Sequence, residues 1–300
     1  EELRRVERRG TEAMAAVLKQ LRSRRVRQPA VAARLGQRVL ASAGGRRGLG
    51  DEVWTVREQT LIAALDVDEA ALARECEAAV VARFEGARAK RLEGLAAEAR
   101  GDLDAASATY AGMLETNAAN AAALKREICV LKAKRDVQGA VEKLTAYVGK
   151  YQSDRYAWQE LAETYAGAGL YHEAIFCYEE LVLFEPTATR YLCRIGELHY
   201  TAGRDAGLSN AKKLDAFLTA RKYFAHCLHL APDADGASRP GFGLVLATNA
   251  VAEYKPDDEL NLALAATAAA RLKSLYKAKA APNLVTTAVA PFVANHTASR

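Results

Sequence analysis

The sequence has no run of 18 or more apolar residues, although 50% of its 300 residues are hydrophobic. A helix that spans a bilayer needs about 20 such residues, and the most apolar segments, 260–270 and 283–295, are shorter than that. No secretory signal is recognisable either. The sequence therefore predicts a globular protein without a membrane-spanning helix.

Motifs of common catalytic and phosphate-binding sites are also absent: no G-x-G-x-x-G, P-loop or H-E-x-x-H occurs. The five cysteines include no C-x-x-C pair, and each lies in an apolar helical pattern, which predicts reduced, buried thiols. His226 and His229 share one helical face, but Cys227 does not, and no carboxylate completes a metal site. We predict no catalytic residue, no cofactor and no metal.

Acidic residues are scarce near the N-terminus. Residues 1–50 carry 13 Lys and Arg against 4 Glu, whereas the whole chain has a formal charge of +5. We predict a basic helical and linker region there. Such a region contacts nucleic acid, anionic lipid or an acidic partner, or it is simply a solvated helix face beside a Gly/Arg linker, GGRRGLG.

What the sequence contains in abundance is helix-forming residues arranged in a repeat. Positions 34 residues apart carry the same kind of side chain, small in one series and large in the other. The small series is Ala106, Ala140 and Ala174, and the large series is Tyr110, Leu144 and Tyr178. A period of this length is typical of stacked helical hairpins.

Residues 157–186 show the pattern most completely. Small residues stand where two helices cross closely, larger ones surround the crossing, a glycine permits the turn, and a proline ends the second helix. This is the tetratricopeptide repeat (TPR) pattern. The predicted structural positions are Gly94, Ala106, Tyr110, Ala140, Leu144, Trp158, Leu161, Ala162, Tyr165, Gly169, Ala174, Tyr178, Pro186, Gly196, Ala220, Phe224 and Pro232.

The predicted fold is all-α: a TPR-type helical-hairpin solenoid, a right-handed superhelix of about five hairpins followed by C-terminal helices. The basic region is assigned to 1–50 and the solenoid to 51–235. Its hairpins are 51–86, 87–120, 121–154, 155–188 and 189–235, the last with an insertion at 205–216 in the inter-helix turn. A helical pair at 236–281 and a tail at 282–300 follow.

The first helix of each hairpin is expected to line a concave groove that suits an extended peptide or a partner helix. The predicted protein-binding residues are Arg91, Lys125, Lys132, Gln159, Glu163, Arg190 and Arg194. Because the aromatic residues of 157–186 are accounted for as packing residues, the sequence favours docking over catalysis.

Two other binding functions remain open. Co-chaperone adaptors that bind Hsp70 or Hsp90 C-termini hold a carboxylate with basic and Asn residues. This chain supplies Lys125, Arg190 and Arg194 but has Cys129 and Glu160 at two of the required positions, and Glu160 would repel the ligand. The second open function is that of an RNA-binding helical-repeat protein. Such proteins read one base per repeat with a few side chains, but the groove residues here show no consistent basic or Asn/Asp pattern of this kind.

Several segments are similar to one particular TPR family. They are DEVWTVREQTLIAALD (51–66), KRLEGLAAEARGDLDAASATYAGMLETNAANAAALKR (90–126), YAWQELAETYAGAGLYHEAIFCYEELVLFEP (156–186) and ARKYFAHCLHL (220–230). Over roughly residues 50–230 the chain resembles the family of subunit 2 of the endoplasmic reticulum (ER) membrane protein complex.

The resemblance implies a non-enzymatic scaffold, peripheral on the cytoplasmic face of the ER membrane. Such a subunit holds the cytosolic segments of membrane-embedded subunits and a second soluble subunit. The assembly inserts tail-anchored and multipass membrane proteins. No nucleic-acid partner is implied.

Overall fold

The computed structural model describes residues 2–230 and 238–278, and 81% of these residues lie in 16 helices. The described ranges contain no strand, so the predicted all-α class of TPR-type hairpins is confirmed. The chain divides into two compact units, residues 1–140 and 141–300, and each is described by itself.

The N-terminal unit (residues 1–140) begins with short helices and continues with hairpins. Its helices are α1 (Glu2–Arg8), α2 (Thr11–Ser23), α3 (Pro29–Ala41), α4 (Ala43–Leu49), α5 (Glu52–Asp66), α6 (Ala70–Val81), α7 (Ala87–Ala99), α8 (Leu103–Thr116) and α9 (Ala121–Ala133). The unit boundary falls within α10 (Val137–Lys150).

One hydrophobic core joins the basic region to the first predicted hairpin. Leu18 of α2, Leu35 of α3, Leu61 of α5 and Val80 of α6 are completely buried in it. The segment GGRRGLG, which predicts a linker, is mostly helix α4. The Ser42 hydroxyl accepts a hydrogen bond from the Gly45 amide (3.2 Å) and caps this helix.

The hairpin turns repeat one backbone conformation at the 34-residue period. Gly101 (φ 77°), Arg135 (φ 61°) and Gly169 (φ 79°) each adopt the left-handed region at the end of the first helix of a hairpin. Glycine adopts this conformation without strain, whereas arginine does so at a small cost. Helix starts recur at the same period, because Asp102 before α8 and Asp136 before α10 each accept a hydrogen bond from an amide in the first turn (3.1 and 2.9 Å).

Gly94 marks the closest approach of α7 and α8. A Cβ atom added there would lie 2.5 Å from Cζ of Tyr110, whose side chain is completely buried. The tyrosine ring cannot move away freely, since its hydroxyl donates a hydrogen bond to Glu98 (2.6 Å). A residue without a side chain is therefore required at this crossing.

Gly94→Ala is expected to destabilise the N-terminal unit by about 2 kcal/mol, because overpacking outweighs the helix propensity gained. Gly112→Ala in α8 is the matched control. A Cβ atom at Gly112 meets no heavy atom closer than 4.0 Å, so this variant is expected to be neutral or slightly stabilised. Urea unfolding measures both, and equal stability of the two variants would contradict the proposed crossing.

The C-terminal unit (residues 141–300) contains longer helices. They are α11 (Arg155–Gly167), α12 (Tyr171–Phe184), α13 (Thr189–Gly203), α14 (Asn210–Leu230), α15 (Ser238–Ala252) and α16 (Glu259–Ala278). Phe224 of α14 is buried between Gly196 of α13 and Gly243 of α15. A Cβ atom added to Gly196 would lie 3.0 Å from the Phe224 ring, and one added to Gly243 would lie 2.5 Å from it. These contacts place α13, α14 and α15 around one aromatic ring.

The segment 205–216, predicted as an insertion in a turn, is only partly a turn. Residues 210–216 form the start of α14, which is 21 residues long. Gly203, which continues the 34-residue series of turn glycines, lies in α13 and packs against Phe217, 2.7 Å from the position of an added Cβ. The extra residues thus lengthen a helix whose Phe217 is 2% exposed.

Buried polar contacts join α14, α15 and α16. Arg221 is 6% exposed and donates to Oδ2 of Asp258 (2.9 Å) and Oδ1 of Asn261 (3.0 Å). The Asn261 amide donates in turn to the Thr248 carbonyl (2.7 Å). Each partner therefore satisfies a polar group that the packing of the three helices removes from water.

The predicted structural positions differ in burial. The buried ones are Gly94, Ala106, Tyr110, Ala140, Leu144, Leu161, Ala162, Ala174, Tyr178, Gly196, Ala220 and Phe224. Trp158 and Tyr165 are half-buried, and Gly169 and Pro186 are exposed in the connections. Pro232, like the predicted tail at 282–300, lies outside the described residues.

Candidate protein-interaction surfaces

We use the term A helices for α7, α9, α11 and α13, the first helices of the four hairpins between 87 and 230. Helices α7 and α9 belong to the N-terminal unit, and α11 and α13 belong to the C-terminal unit. The seven predicted protein-binding residues all lie on them. Their side chains are partly or fully accessible, as binding to another polypeptide requires.

In the N-terminal unit, α7 presents Arg91, which is half-buried and lies 3.9 Å from the Glu58 carboxylate of α5. Glu58 also binds Arg88, whose guanidinium stacks 4.1 Å from the centre of the Phe84 ring. Arg91 is thus held beside a shared carboxylate. On α9, Lys125 is half-buried and Lys132 is exposed.

Glu98 links α7, α8 and α9. Its carboxylate accepts from Arg126 Nε (2.9 Å) and Nη2, and also from the Tyr110 hydroxyl. Burial, together with the nearby Glu98 carboxylate, raises the pKa of Tyr110 above its ordinary value, so the phenol remains a hydrogen-bond donor. This network fixes the α9 backbone from which Lys125 and Lys132 project.

In the C-terminal unit, α11 presents neighbouring polar side chains one turn apart. The Gln159 amide donates to Oε1 of Glu163 (2.8 Å), and Glu163 is exposed. Tyr156, one turn earlier, is 81% exposed. An exposed tyrosine beside an amide and a carboxylate offers a partner both apolar area and hydrogen bonds.

On α13 the two predicted arginines already have partners within the unit. Arg190 binds the Glu185 carboxylate and the Tyr191 hydroxyl (3.0 Å), and it stacks on the Tyr191 ring at 4.3 Å. Arg194 donates to Oε2 of Glu197 (3.0 Å). These pairs reduce the positive charge that either arginine presents to a ligand.

Arg239 of α15 is a second arginine that binds Glu197 of α13, and the sequence does not predict this contact. Its guanidinium binds Glu197 through two hydrogen bonds of 2.5 and 2.7 Å. Burial disfavours the ionised Glu197, but hydrogen bonds from Arg239 and Arg194 outweigh it and hold the pKa of Glu197 below its ordinary value. Residues 197 and 239 are 42 positions apart, so no local pattern signals the contact.

Glu197→Gln is expected to cost about 2 kcal/mol of stability at neutral pH, because an amide cannot replace the charged bidentate acceptor. The pKa of the unfolded Glu197 carboxyl group is about 4.3, and that of the folded one is lower. The stabilisation from Glu197 is thus present above the unfolded pKa and lost as the pH falls through the folded pKa.

Urea unfolding over a pH series measures this difference. The wild-type advantage over Glu197→Gln is expected to shrink on acidification, since a protonated glutamate resembles glutamine. Glu173→Gln, at an exposed position of α12, is the control and is expected to show little effect. A deficit that does not change with pH would contradict the role assigned to the Glu197 charge.

The cysteine thiols and possible metal ligands of the described residues are not arranged for reaction or metal binding. None of the five cysteines, all of them in the described ranges, forms a disulfide: Cys76, Cys177, Cys193 and Cys227 are buried and Cys129 is half-buried. Burial raises the pKa of Cys76 to about 11 and that of Cys177 to about 12, so these thiols are protonated at neutral pH. In the ranges 2–230 and 238–278, no group of three or more His, Cys, Asp or Glu side chains is placed to hold a metal ion.

Comparison with known proteins identifies the family. Residues 79–213 match the family model described as "EMC2 TPR-like repeat domain". The chain is 35% identical over 237 residues to "ER membrane protein complex subunit 2-A" of Xenopus laevis, and the match covers 76% of this chain and 75% of that protein. The chain belongs to the ER membrane protein complex subunit 2 family.

Two further comparisons are with TPR repeat proteins. The chain is 32% identical over 151 residues to "TPR repeat protein oca3" of Schizosaccharomyces pombe, a match that covers 50% of this chain and 54% of that one. The C-terminal part of a TPR repeat-containing protein from Cytophaga hutchinsonii is similar in structure, with a TM-score of 0.54, 11% identity and coverage of 88% of this chain and 89% of that one. That likeness concerns the fold alone. In the present chain, no helix of the described residues is both long and apolar enough to cross a bilayer.

Proposed function

We propose that this chain is a non-catalytic scaffold subunit of an ER membrane protein complex, held at the cytosolic face of the membrane by its partners. The name of the Xenopus laevis relative and the match to the subunit 2 repeat domain support the assignment to a complex. The proposed partners are cytosolic segments of membrane-embedded subunits and a second soluble subunit. In this proposal the assembled complex is an insertase for tail-anchored and multipass membrane proteins, and the insertion path belongs to other subunits.

The observation that carries the proposal is the accessible polar surface of the A helices on a rigid repeat. In the C-terminal unit this surface is Tyr156, Gln159 and Glu163 of α11, whose helix packs on α12 through the fully buried Ala162 and Ala174. A preformed surface has little ordering cost of its own when a flexible polypeptide segment binds to it. The same reasoning applies separately to Lys125 and Lys132 on α9 in the N-terminal unit.

The co-chaperone function is less well supported by the charges on α13. A carboxylate-binding site needs cationic groups directed at the ligand. Arg190 is paired with Glu185, and Arg194 is paired with Glu197, which also binds Arg239. These carboxylates would repel the C-terminal carboxylate of a chaperone.

Affinity purification of the tagged chain from detergent-solubilised membranes tests the proposal. We expect a multi-subunit membrane complex to be recovered in fixed proportion with the chain. Recovery of Hsp70 or Hsp90 alone would overturn the scaffold proposal in favour of the co-chaperone function. Recovery of RNA alone would favour the RNA-binding one.

A further inference from the structure

Helix α1 has one apolar and one basic face. Leu3 and Val6 pack against the core of the N-terminal unit, and Glu7, with a side chain only 7% exposed, binds Arg34 and Arg38 of α3. Arg4, Arg5 and Arg8 are exposed on the opposite face and span an arc of about 100° at the helical spacing. The helix is thus fixed by its inner face while its arginines project outward.

Helix α4 adds two arginines next to this face. A Cβ atom at Gly45 would lie 3.3 Å from the Thr11 side chain, which places α4 beside the start of α2 and the end of α1. Arg46 and Arg47 follow Gly45 and are exposed. We call the six side chains together the N-terminal basic surface: Arg4, Arg5, Arg8, Arg9, Arg46 and Arg47.

Four arginines of this surface lack an ion-pair partner among the described side chains. They are Arg4, Arg5, Arg8 and Arg9, although the Glu7 carboxylate interacts electrostatically with Arg4 and the exposed Glu12 follows them in sequence. Other basic side chains of residues 1–50 do have partners, since Lys19 binds Glu52 (2.8 Å) and Arg27 binds Asp66 (2.6 Å). Cationic side chains without an acidic partner among the described residues thus cluster at α1 and α4, and Arg24 and Arg25 form a smaller group at the end of α2.

The chemistry of this surface distinguishes between two kinds of anionic partner. Single-stranded nucleic acid is held by aromatic side chains that stack on bases inside a basic groove, but residues 1–50 contain no Phe, Tyr or Trp. A membrane with anionic lipids requires only clustered Lys and Arg on an accessible face, each of which strengthens binding about fivefold. Guanidinium groups also form paired hydrogen bonds with phosphate and carboxylate oxygens.

We propose that the N-terminal basic surface binds the anionic headgroups of a lipid bilayer directly. The interaction is electrostatic and shallow, because the apolar side chains of α1 face the protein core. It goes beyond the scaffold function, which needs attachment only through partner subunits. Failure of one proposal therefore leaves the other intact.

Vesicle flotation of the full chain tests the proposal. The two vesicle types are phosphatidylcholine alone and phosphatidylcholine with roughly one third phosphatidylserine. We expect binding to the anionic vesicles only, falling steeply with salt. The variant with Arg4, Arg5, Arg8 and Arg9 all changed to Gln is expected to bind about six hundredfold more weakly, a factor of about five for each lost charge.

Two further variants separate charge from structure. Changing the same four arginines to Lys keeps the charge and is expected to keep vesicle binding. The control variant has Arg24, Arg74, Arg204 and Lys212 changed to Gln, which removes four charges from other exposed positions. Arg24 lies about 20 Å from α1 along α2. This variant is expected to bind vesicles nearly as well as the wild type.

Three results would overturn the proposal. They are equal binding of the wild type to both vesicle types, unchanged binding of the Gln variant, and equal loss in the dispersed-charge control. Binding of a labelled single-stranded RNA that depends on the same four arginines, without vesicle binding, would also overturn it and assign the surface to nucleic acid.

Discussion

Ala174→Trp is expected to destabilise the C-terminal unit by at least about 3 kcal/mol, because the crossing of α11 and α12 has no room for an indole. Ala174 is 0% exposed, and Ala162 on the facing helix is also 0% exposed. The surrounding side chains of α12, including Ile175, Tyr178 and Leu181, are buried as well. None of them is able to move into solvent without losing its own packing.

Urea unfolding followed by circular dichroism measures this effect. His172→Trp is the matched control, since it places the same indole on α12 at an exposed position. The control is expected to change stability by less than about 0.5 kcal/mol. If Ala174→Trp kept wild-type stability, the helical register of the whole repeat would be incorrect.

Arg221→Met is expected to cost about 3 kcal/mol, because it removes a buried guanidinium and leaves the polar groups bound to it unsatisfied. The substitution leaves Oδ1 of Asn261, a residue 2% exposed, without its donor, and leaves Asp258 without its cation. Methionine fills a similar volume and favours helix equally. The expected loss therefore arises from the unsatisfied polar groups.

Lys222→Met is the control for Arg221→Met. It removes the same charge at the next position of α14, where the side chain is exposed, and is expected to be close to neutral. Thermal unfolding of the two variants is compared under the same conditions. Equal stability would show that the contacts of Arg221 with Asp258 and Asn261 contribute nothing to the C-terminal unit.

The repeat was predictable from sequence because the hairpin geometry depends on local residue types. Small residues at Ala106 and Ala174 and a left-handed turn at Gly169 are separate requirements that recur at one period. Arg135 shows the limit of this reasoning, since it adopts the same turn conformation as glycine without a residue type that predicts it. The period, and not each residue, carried the information.

Features without a repeat were less predictable. Helices α1 to α4 have no TPR pattern, and the core they share with α5 and α6 depends on contacts between residues far apart in sequence. The sequence predicts a turn at the start of α14. The length of an insertion relative to the 34-residue period does not show whether the additional residues extend a helix or a loop. Phe217 directly follows this segment and is buried, and its packing favours a helix over a loop.

The candidate surface was predicted in position but not in its contacts. Helical spacing placed Arg190 and Arg194 on an accessible face of α13. Their acidic partners, and Arg239 from another hairpin, depend on how α13 and α15 pack.

Site-specific photo-crosslinking shows whether the A helices hold partner polypeptides. A photoreactive phenylalanine is placed at Glu163 on α11 or at Glu173 on α12, both of them exposed positions, and the tagged chain is irradiated in intact membranes. We expect crosslinks to subunits of a membrane protein complex from position 163 and few from position 173. Crosslinks from position 173 alone, or from neither position while the complex still co-purifies, would contradict this expectation.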